Sequence, residues 1–183
     1  MDFKLVLSKL LTSFSENNIR YALIGGFALG IWGVARGTVD IDFLVNREDM
    51  EKVDELMHGL GYECRYRTEN VTQFVSPLQV FGEVDFLHAF RMHSLGMLER
   101  AEERPLFNGA VSVKVLKIED LIGLKVQAIA NNKDRSTVDM ADIEALMSVN
   151  RTGMDWGLIE EYFGLFGLDE LIVELRRKYG YAQ

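Results

Sequence analysis

Two short segments hold the most information about this 183-residue chain: GGFA at residues 25–28 and RGTVDIDF at residues 36–43. The apolar run at residues 21–24 predicts a strand, and residues 27–32 predict a helix. The glycine pair between them allows a tight turn and a close approach of the backbone. Amide groups at the start of a helix can bind an anion. The first segment therefore predicts a phosphate-binding turn.

The second segment places two aspartates one residue apart. Asp40 and Asp42 lie in a predicted strand at residues 39–45. Side chains at positions i and i+2 of a strand share a face, so both carboxylates point the same way while Val39 and Ile41 pack inside. Neighbouring carboxylates repel each other unless a cation lies between them, and hard oxygen ligands suit Mg²⁺ or Mn²⁺. The pair predicts a metal site.

A third carboxylate is expected from a neighbouring strand, and Asp85 in the segment 82–88 is the candidate. Asp85 stands between Val84 and Phe86, a pattern typical of a strand whose other face is buried. An aspartate in such a place is costly unless it is paired or bound to metal. Glu83, on the same face of this strand, is the alternative.

Three of these features belong together. They are Gly25-Gly26, Arg36-x-Thr38-x-Asp40-Ile41-Asp42 and Val84-Asp85-Phe86. Together they resemble the nucleotidyltransferase superfamily, whose core is shared with DNA polymerase beta. The resemblance implies a metal-dependent transfer of a nucleoside monophosphate from an NTP to a hydroxyl. Asp40, Asp42 and Asp85 would be the catalytic and metal-binding residues.

The resemblance also implies a set of residues that contact the NTP. They are Gly25, Gly26, Arg36, Thr38, Lys125 and Lys133. Many members of the superfamily carry Gly-Ser where this chain has two glycines, so here the backbone alone would hold the phosphate. Lys125 lies in an apolar helix and is either a triphosphate ligand or a snorkelling lysine. Asp139 and Asp142 would orient one of the two lysines, or cap and solvate their own helix.

Segments near the two lysines resemble one branch of the superfamily. They are Leu121-Ile122-Gly123-Leu124-Lys125, Asn132-Lys133-Asp134 and Asp139-Met140-Ala141-Asp142-Ile143. This AbiEii-like branch includes nucleotidyltransferase toxins of bacterial toxin-antitoxin pairs, which implies RNA as the acceptor and an antitoxin protein as a partner. One alternative is a transferase that modifies small molecules, similar to aminoglycoside and lincosamide nucleotidyltransferases. Another is a nucleotide-binding partner protein without catalysis.

Composition restricts the class of protein. The chain is 48% hydrophobic, has no apolar run of membrane-spanning length and lacks the layout of a signal peptide, which predicts a cytoplasmic protein without a membrane segment. The formal net charge of -8 opposes broad binding to nucleic acid and suits a cationic substrate. The single cysteine, Cys64, excludes an intramolecular disulfide and is expected to be buried or half-buried in a strand.

The period of the apolar residues changes along the chain. Residues 1–117 predict an α/β core, with a mixed and mainly antiparallel sheet flanked by helices. Residues 118–183 contain four helical patterns and predict a C-terminal helical region. Only two prolines and no Ser/Gly-rich stretch argue against a flexible linker. We expect the helical region to pack on the core as one structural unit.

Overall fold

The computed structural model describes residues 1–180, which form eight α-helices and seven strands. The helices are α1 (Phe3–Glu16), α2 (Gly25–Ile31), α3 (Met50–Gly59), α4 (Met92–Arg100), α5 (Ile118–Asn131), α6 (Ser136–Val149), α7 (Trp156–Leu165) and α8 (Asp169–Tyr179). The strands are β1 (Tyr21–Ile24), β2 (Asp40–Asn46), β3 (Glu63–Arg67), β4 (Val71–Val75), β5 (Glu83–Ala89), β6 (Glu102–Leu106) and β7 (Val111–Val115). Across residues 1–180, none of the helices combines the length and the apolar character that crossing a membrane requires.

The seven strands form one mixed sheet in the order β3-β4-β5-β2-β1-β7-β6. Four of the six neighbouring pairs are antiparallel, and β2 with β5 and β1 with β7 are the parallel pairs. Helices flank this sheet, and helices α5 to α8 follow it in the chain. The predicted fold class, a mixed and mainly antiparallel sheet with a C-terminal helical region, is confirmed.

Aromatic side chains set the register at the centre of the sheet. Phe43 in β2 lies opposite Phe86 in β5, and their rings stack with centroids 5.7 Å apart. Phe14 of α1 meets the Phe43 ring edge-on at 5.2 Å, and all three side chains are fully buried. A slip of one residue would turn this apolar face toward solvent, so burial specifies the register strongly. The same register determines which residues meet on the opposite face.

The chain divides into two compact units. The first comprises residues Met1–Ala28 and Arg36–Leu116, with the whole sheet, and the second comprises Leu29–Ala35 and the residues from Lys117 onward. Packing of the helical region on the core as one structural unit stays a prediction.

Inside the second unit, α5 and α7 approach closely at Gly123. A Cβ atom at this position would lie 2.7 Å from the ring of Tyr162. The Tyr162 hydroxyl donates a 2.6 Å hydrogen bond to the fully buried Asp120, which satisfies a carboxylate that would otherwise be costly to bury.

Three local expectations differ from the structure. Helix α2 begins at Gly25, directly after β1, so the two glycines form its first residues and no separate turn precedes it. Val39 is 83% exposed instead of packed, because β2 begins one residue later, at Asp40. Cys64 is exposed, because β3 is the edge strand of the sheet and both of its faces are open to solvent.

Candidate active site

Three carboxylates meet on one face of the sheet. Asp40 and Asp42 belong to β2, and Asp85 belongs to β5, where it pairs directly with Asp42. Buried residues such as Ile41 and Phe86 alternate with these aspartates along the strands. The aspartates therefore lie on the opposite face of the sheet, away from this core. One oxygen of each carboxylate lies within 4.8 Å of the other two, and all three residues are half-buried. Within the described part of the chain, no other acidic, histidine or cysteine cluster has this geometry.

Neighbouring side chains orient two of the three carboxylates. The Thr38 hydroxyl donates to Asp40 Oδ1 at 2.8 Å. The Gln73 amide in β4 donates from Nε2 to Asp85 Oδ2 at 2.9 Å. The other oxygen of Asp85, Oδ1, is buried and accepts no hydrogen bond from the described residues. A buried acceptor without a partner is costly, and a bound cation would remove that cost.

The electrostatics of the cluster favour a cation as well. Burial raises the pKa of the Asp85 carboxyl, the hydrogen bond from Gln73 opposes this shift, and the negative charges of Asp40 and Glu83 add to it. Arg65, which contacts Glu83 at 3.0 Å, acts weakly in the opposite direction. Burial is the largest cause of the raised pKa, and the two neighbouring carboxylates add a smaller contribution. Clustered carboxylate oxygens are ligands that suit Mg²⁺ or Mn²⁺.

The glycine pair packs directly against this cluster. Gly25 has a φ of +66°, and a Cβ atom there would lie 1.9 Å from Asp42 Oδ2. A Cβ atom on Gly26 would lie 2.9 Å from the side chain of Thr38. Both glycines are therefore required sterically, because β2 and its preceding segment occupy the space of their missing side chains.

The remaining predicted NTP contacts lie on different elements. Arg36 is exposed in the segment between α2 and β2. Lys125 lies in α5, and the exposed Lys133 opens a short 3-10 helix at Lys133–Arg135. Both lysines belong to the second unit, whereas the three carboxylates belong to the first. Their contact with a triphosphate stays a prediction.

Lys125 is engaged by the two aspartates of α6. Its ammonium lies 2.8 Å from Asp139 and 2.7 Å from Asp142, and its side chain is only 14% exposed. The interpretation of Lys125 as a snorkelling lysine is therefore wrong. Asp139 and Asp142 were expected either to orient a lysine or to cap and solvate their own helix. Their ion pairs with Lys125 agree with the first role.

Sequence reasoning missed Gln73. The available signal was a polar side chain between Thr72 and Phe74 in β4, the strand that precedes that of Asp85 in the chain. Pairing of Gln73 with Asp85 depends on the β4–β5 register, which the local pattern does not reveal.

The sequence matches a family model described as "Uncharacterised nucleotidyltransferase" over residues 4–175. The chain belongs to this nucleotidyltransferase family. The match covers the three carboxylates, the glycine pair and both lysines, and it confirms the predicted superfamily. Membership of the AbiEii-like branch stays a prediction. None of the curated proteins compared with the chain matches it.

Solved nucleotidyltransferase structures share the fold of this family member. The solution structure of the antibiotic-resistance factor ANT(2'')-Ia superposes with a TM-score of 0.63 at 17% identity, covering 97% of this chain and 99% of that one. Lincomycin-bound lincosamide antibiotic adenylyltransferase LnuA gives 0.55 at 15% identity, covering 78% and 95%. An antigenic nucleotidyltransferase-like protein from Paracoccidioides brasiliensis gives 0.58 at 16% identity, covering 96% and 92%. Identities this low support the fold alone.

Proposed function

We propose that this protein transfers a nucleoside monophosphate from an NTP to a hydroxyl acceptor and releases pyrophosphate, with Mg²⁺ or Mn²⁺ as cofactor. The observation that carries the proposal is the convergence of Asp40, Asp42 and Asp85 within 4.8 Å in a member of a nucleotidyltransferase family. Asp85 Oδ1, which has no hydrogen-bond partner among residues 1–180, and the repulsion among the carboxylates support a cation at this place.

In this proposal, Asp40, Asp42 and Asp85 hold the divalent cations. When bound, the metal neutralises charge on the triphosphate and lowers the pKa of the attacking hydroxyl. Asp85 accepts the proton of that hydroxyl, whose oxygen then bonds to the α-phosphorus. The bond between the α-phosphorus and the bridging oxygen breaks, and pyrophosphate leaves. The work of the protein is positioning and electrostatic stabilisation.

The NTP-binding residues of the proposal play different parts. The backbone of Gly25 and Gly26 borders the phosphates, since no side chain of theirs separates it from the carboxylates. Thr38 acts through Asp40, which its hydroxyl orients. Arg36, Lys125 and Lys133 supply positive charge to the triphosphate, and for Lys125 this requires exchange of contacts with Asp139 and Asp142.

We propose two acceptors, each supported by a different observation. RNA follows from the resemblance to the AbiEii-like branch, which also implies an antitoxin partner. A small hydroxylated cation follows from the net charge of -8 and from the acidic side chains around the site. The fold is also shared with a transferase bound to lincomycin. A partner protein without catalysis is disfavoured, because all three carboxylates are present.

Labelled NTPs separate these possibilities. We would incubate the protein with MgCl2 and each labelled NTP, alone, with total tRNA, and with a panel of aminoglycosides and lincosamides. Label on tRNA supports the RNA acceptor, and label on an antibiotic supports the cationic acceptor. Binding of NTP without transfer to any acceptor would favour the non-catalytic alternative.

The Asp42→Asn variant tests the metal site within that assay. We expect transfer to fall by about two orders of magnitude or more, the cost of losing one electrostatic contact to the transition state. The fold should survive, because the side chains have the same shape. Asp54→Asn is the matched control, since Asp54 lies in α3 and pairs with Arg67. Near-normal turnover by Asp42→Asn would contradict the proposal.

A further inference from the structure

We propose that Gln73 is a positioning residue, which holds Asp85 in the orientation that the cation and the acceptor hydroxyl require. This inference rests on the metal-dependent transfer proposed above and adds a residue of β4 to that site.

Strand pairing determines the face of the sheet on which the Gln73 side chain lies. Gln73 pairs with Asp85 across the β4–β5 ladder, and Asp85 pairs with Asp42 across the β5–β2 ladder. Residues directly opposite each other in a sheet share a face. The neighbours of Gln73 in β4, Thr72 and Phe74, are each 1% exposed and anchor the other face of the strand in the core. Gln73 is therefore directed to the carboxylate side.

The hydrogen bond distinguishes the two oxygens of Asp85. Gln73 Nε2 donates to Oδ2 at 2.9 Å, whereas Oδ1 is buried and has no hydrogen-bond partner among the described residues. A carboxylate held by one oxygen keeps a defined rotamer, and its other oxygen is then left for a ligand. Hydrogen bonds that orient a metal-binding carboxylate are a recurring feature of metal sites.

An amide suits this position better than a cationic donor. Glutamine donates a hydrogen bond without adding positive charge. A lysine or arginine in its place would form a stronger ion pair with Asp85 and would repel the divalent cation. The neutral donor therefore orients Asp85 and leaves the full negative charge of the cluster for the metal.

The Gln73→Met variant tests this role, because methionine has a similar length and cannot donate. Binding of Mn²⁺ is measured by calorimetry and by electron paramagnetic resonance, without NTP or acceptor. We expect affinity to fall by about 10-fold to 100-fold, the usual effect of losing such a partner. Gln79→Met, the same substitution in an exposed loop, is the control and should bind Mn²⁺ like the wild type. Gln73→Ala should show the same loss and provides a second variant.

Two further measurements separate positioning from a general structural role. The thermal midpoint in EDTA should agree between Gln73→Met and Gln79→Met, which shows that the fold is kept. The Mg²⁺ concentration for half-maximal transfer should rise by the factor found for Mn²⁺, while the KM for NTP at saturating Mg²⁺ stays constant. Wild-type affinity for Mn²⁺ in both Gln73 variants would overturn the inference. Failure of the wild-type protein to bind Mn²⁺ would refute the metal site of the proposed function, and this inference with it.

Discussion

At the scale of single residues, position 25 requires a glycine because Asp42 lies where a side chain would begin. The backbone there is left-handed, with a φ of +66°, and the space for a Cβ atom is taken by the Asp42 carboxylate. The glycine thus has a steric function that is separate from its flexibility. It allows the start of α2 to lie against a residue of the proposed metal site.

Gly25→Ala should therefore lose transfer activity by about 100-fold, since a shift of about 1 Å at a reacting group can cost that much. The left-handed backbone should also lower the free energy of unfolding by about 1 kcal/mol. Gly33→Ala is the control, because Gly33 has a φ of +90° and an added Cβ atom there would meet no described atom within 4 Å. It should lose about 1 kcal/mol from the backbone alone and keep activity, whereas Gly25→Ala must also relieve the contact with Asp42. Thermal unfolding and the transfer assay check this, and equal activities of the two variants would contradict the steric argument.

At the scale of secondary-structure elements, a largely buried ion cluster joins α5 to α6. Lys125 contacts Asp139, which is fully buried, and Asp142, whose side chain is 9% exposed. Arg135 also reaches Asp139, from an exposed position one turn away. Each of these buried charges costs free energy because it has lost water, and the opposite charges beside it offset that cost. Removing one partner leaves the others with their desolvation cost uncompensated.

Lys125→Met should accordingly lower the free energy of unfolding by about 3 kcal/mol, because two largely buried carboxylates lose the ammonium between them and Asp139 keeps its contact with the exposed Arg135. Lys178→Met is the matched control: Lys178 pairs with Glu144 but is 59% exposed, so solvent screens the pair and its removal should cost much less stability than Lys125→Met. Urea unfolding of both variants makes the comparison. If both lose the same stability, the cluster contributes no more than a surface ion pair.

At the scale of the whole molecule, the balance of charge is negative, and part of that charge is concentrated on one face of the sheet. The free protein therefore carries unfavourable repulsion at the site proposed for catalysis. A ligand that binds the folded state and relieves this repulsion must raise the stability of the fold.

We expect Mg²⁺ or Mn²⁺ to raise the thermal midpoint of the wild-type protein. At a concentration of 100 times the Kd, the gain is about 2.7 kcal/mol, which corresponds to about 5 °C or more for a chain of this size. Differential scanning fluorimetry at constant ionic strength, with NaCl replacing MgCl2 as the control, measures the shift. Asp42→Asn should show little of it. An equal shift in that variant would place the cation elsewhere.

Much of the fold and of the candidate site was predictable from local patterns. Strand β1 begins and ends where the apolar run predicts, and the four helical patterns predicted after residue 117 correspond to α5, α6, α7 and α8. Asp40 and Asp42 share a face because alternation along a strand is a local property. An error arose where neighbours outside the segment decide burial: Cys64 is exposed because β3 is an edge strand. The alternatives for Lys125 were open in the sequence, and its pairing became visible only because α6 packs beside α5.

The amino-acid order alone specified the types of chemical group and their spacing, namely a glycine pair, two aspartates one residue apart and a third aspartate between apolar neighbours. The tertiary structure determined which residues lie next to these groups. Asp42 faces Asp85, and Gln73 faces Asp85 in turn, because β2, β5 and β4 are neighbours in a defined register. Strand order and register depend on side chains that are far apart in the chain, such as Phe14, Phe43 and Phe86, which pack in one buried layer. The local periodicity of a segment does not specify this order or register.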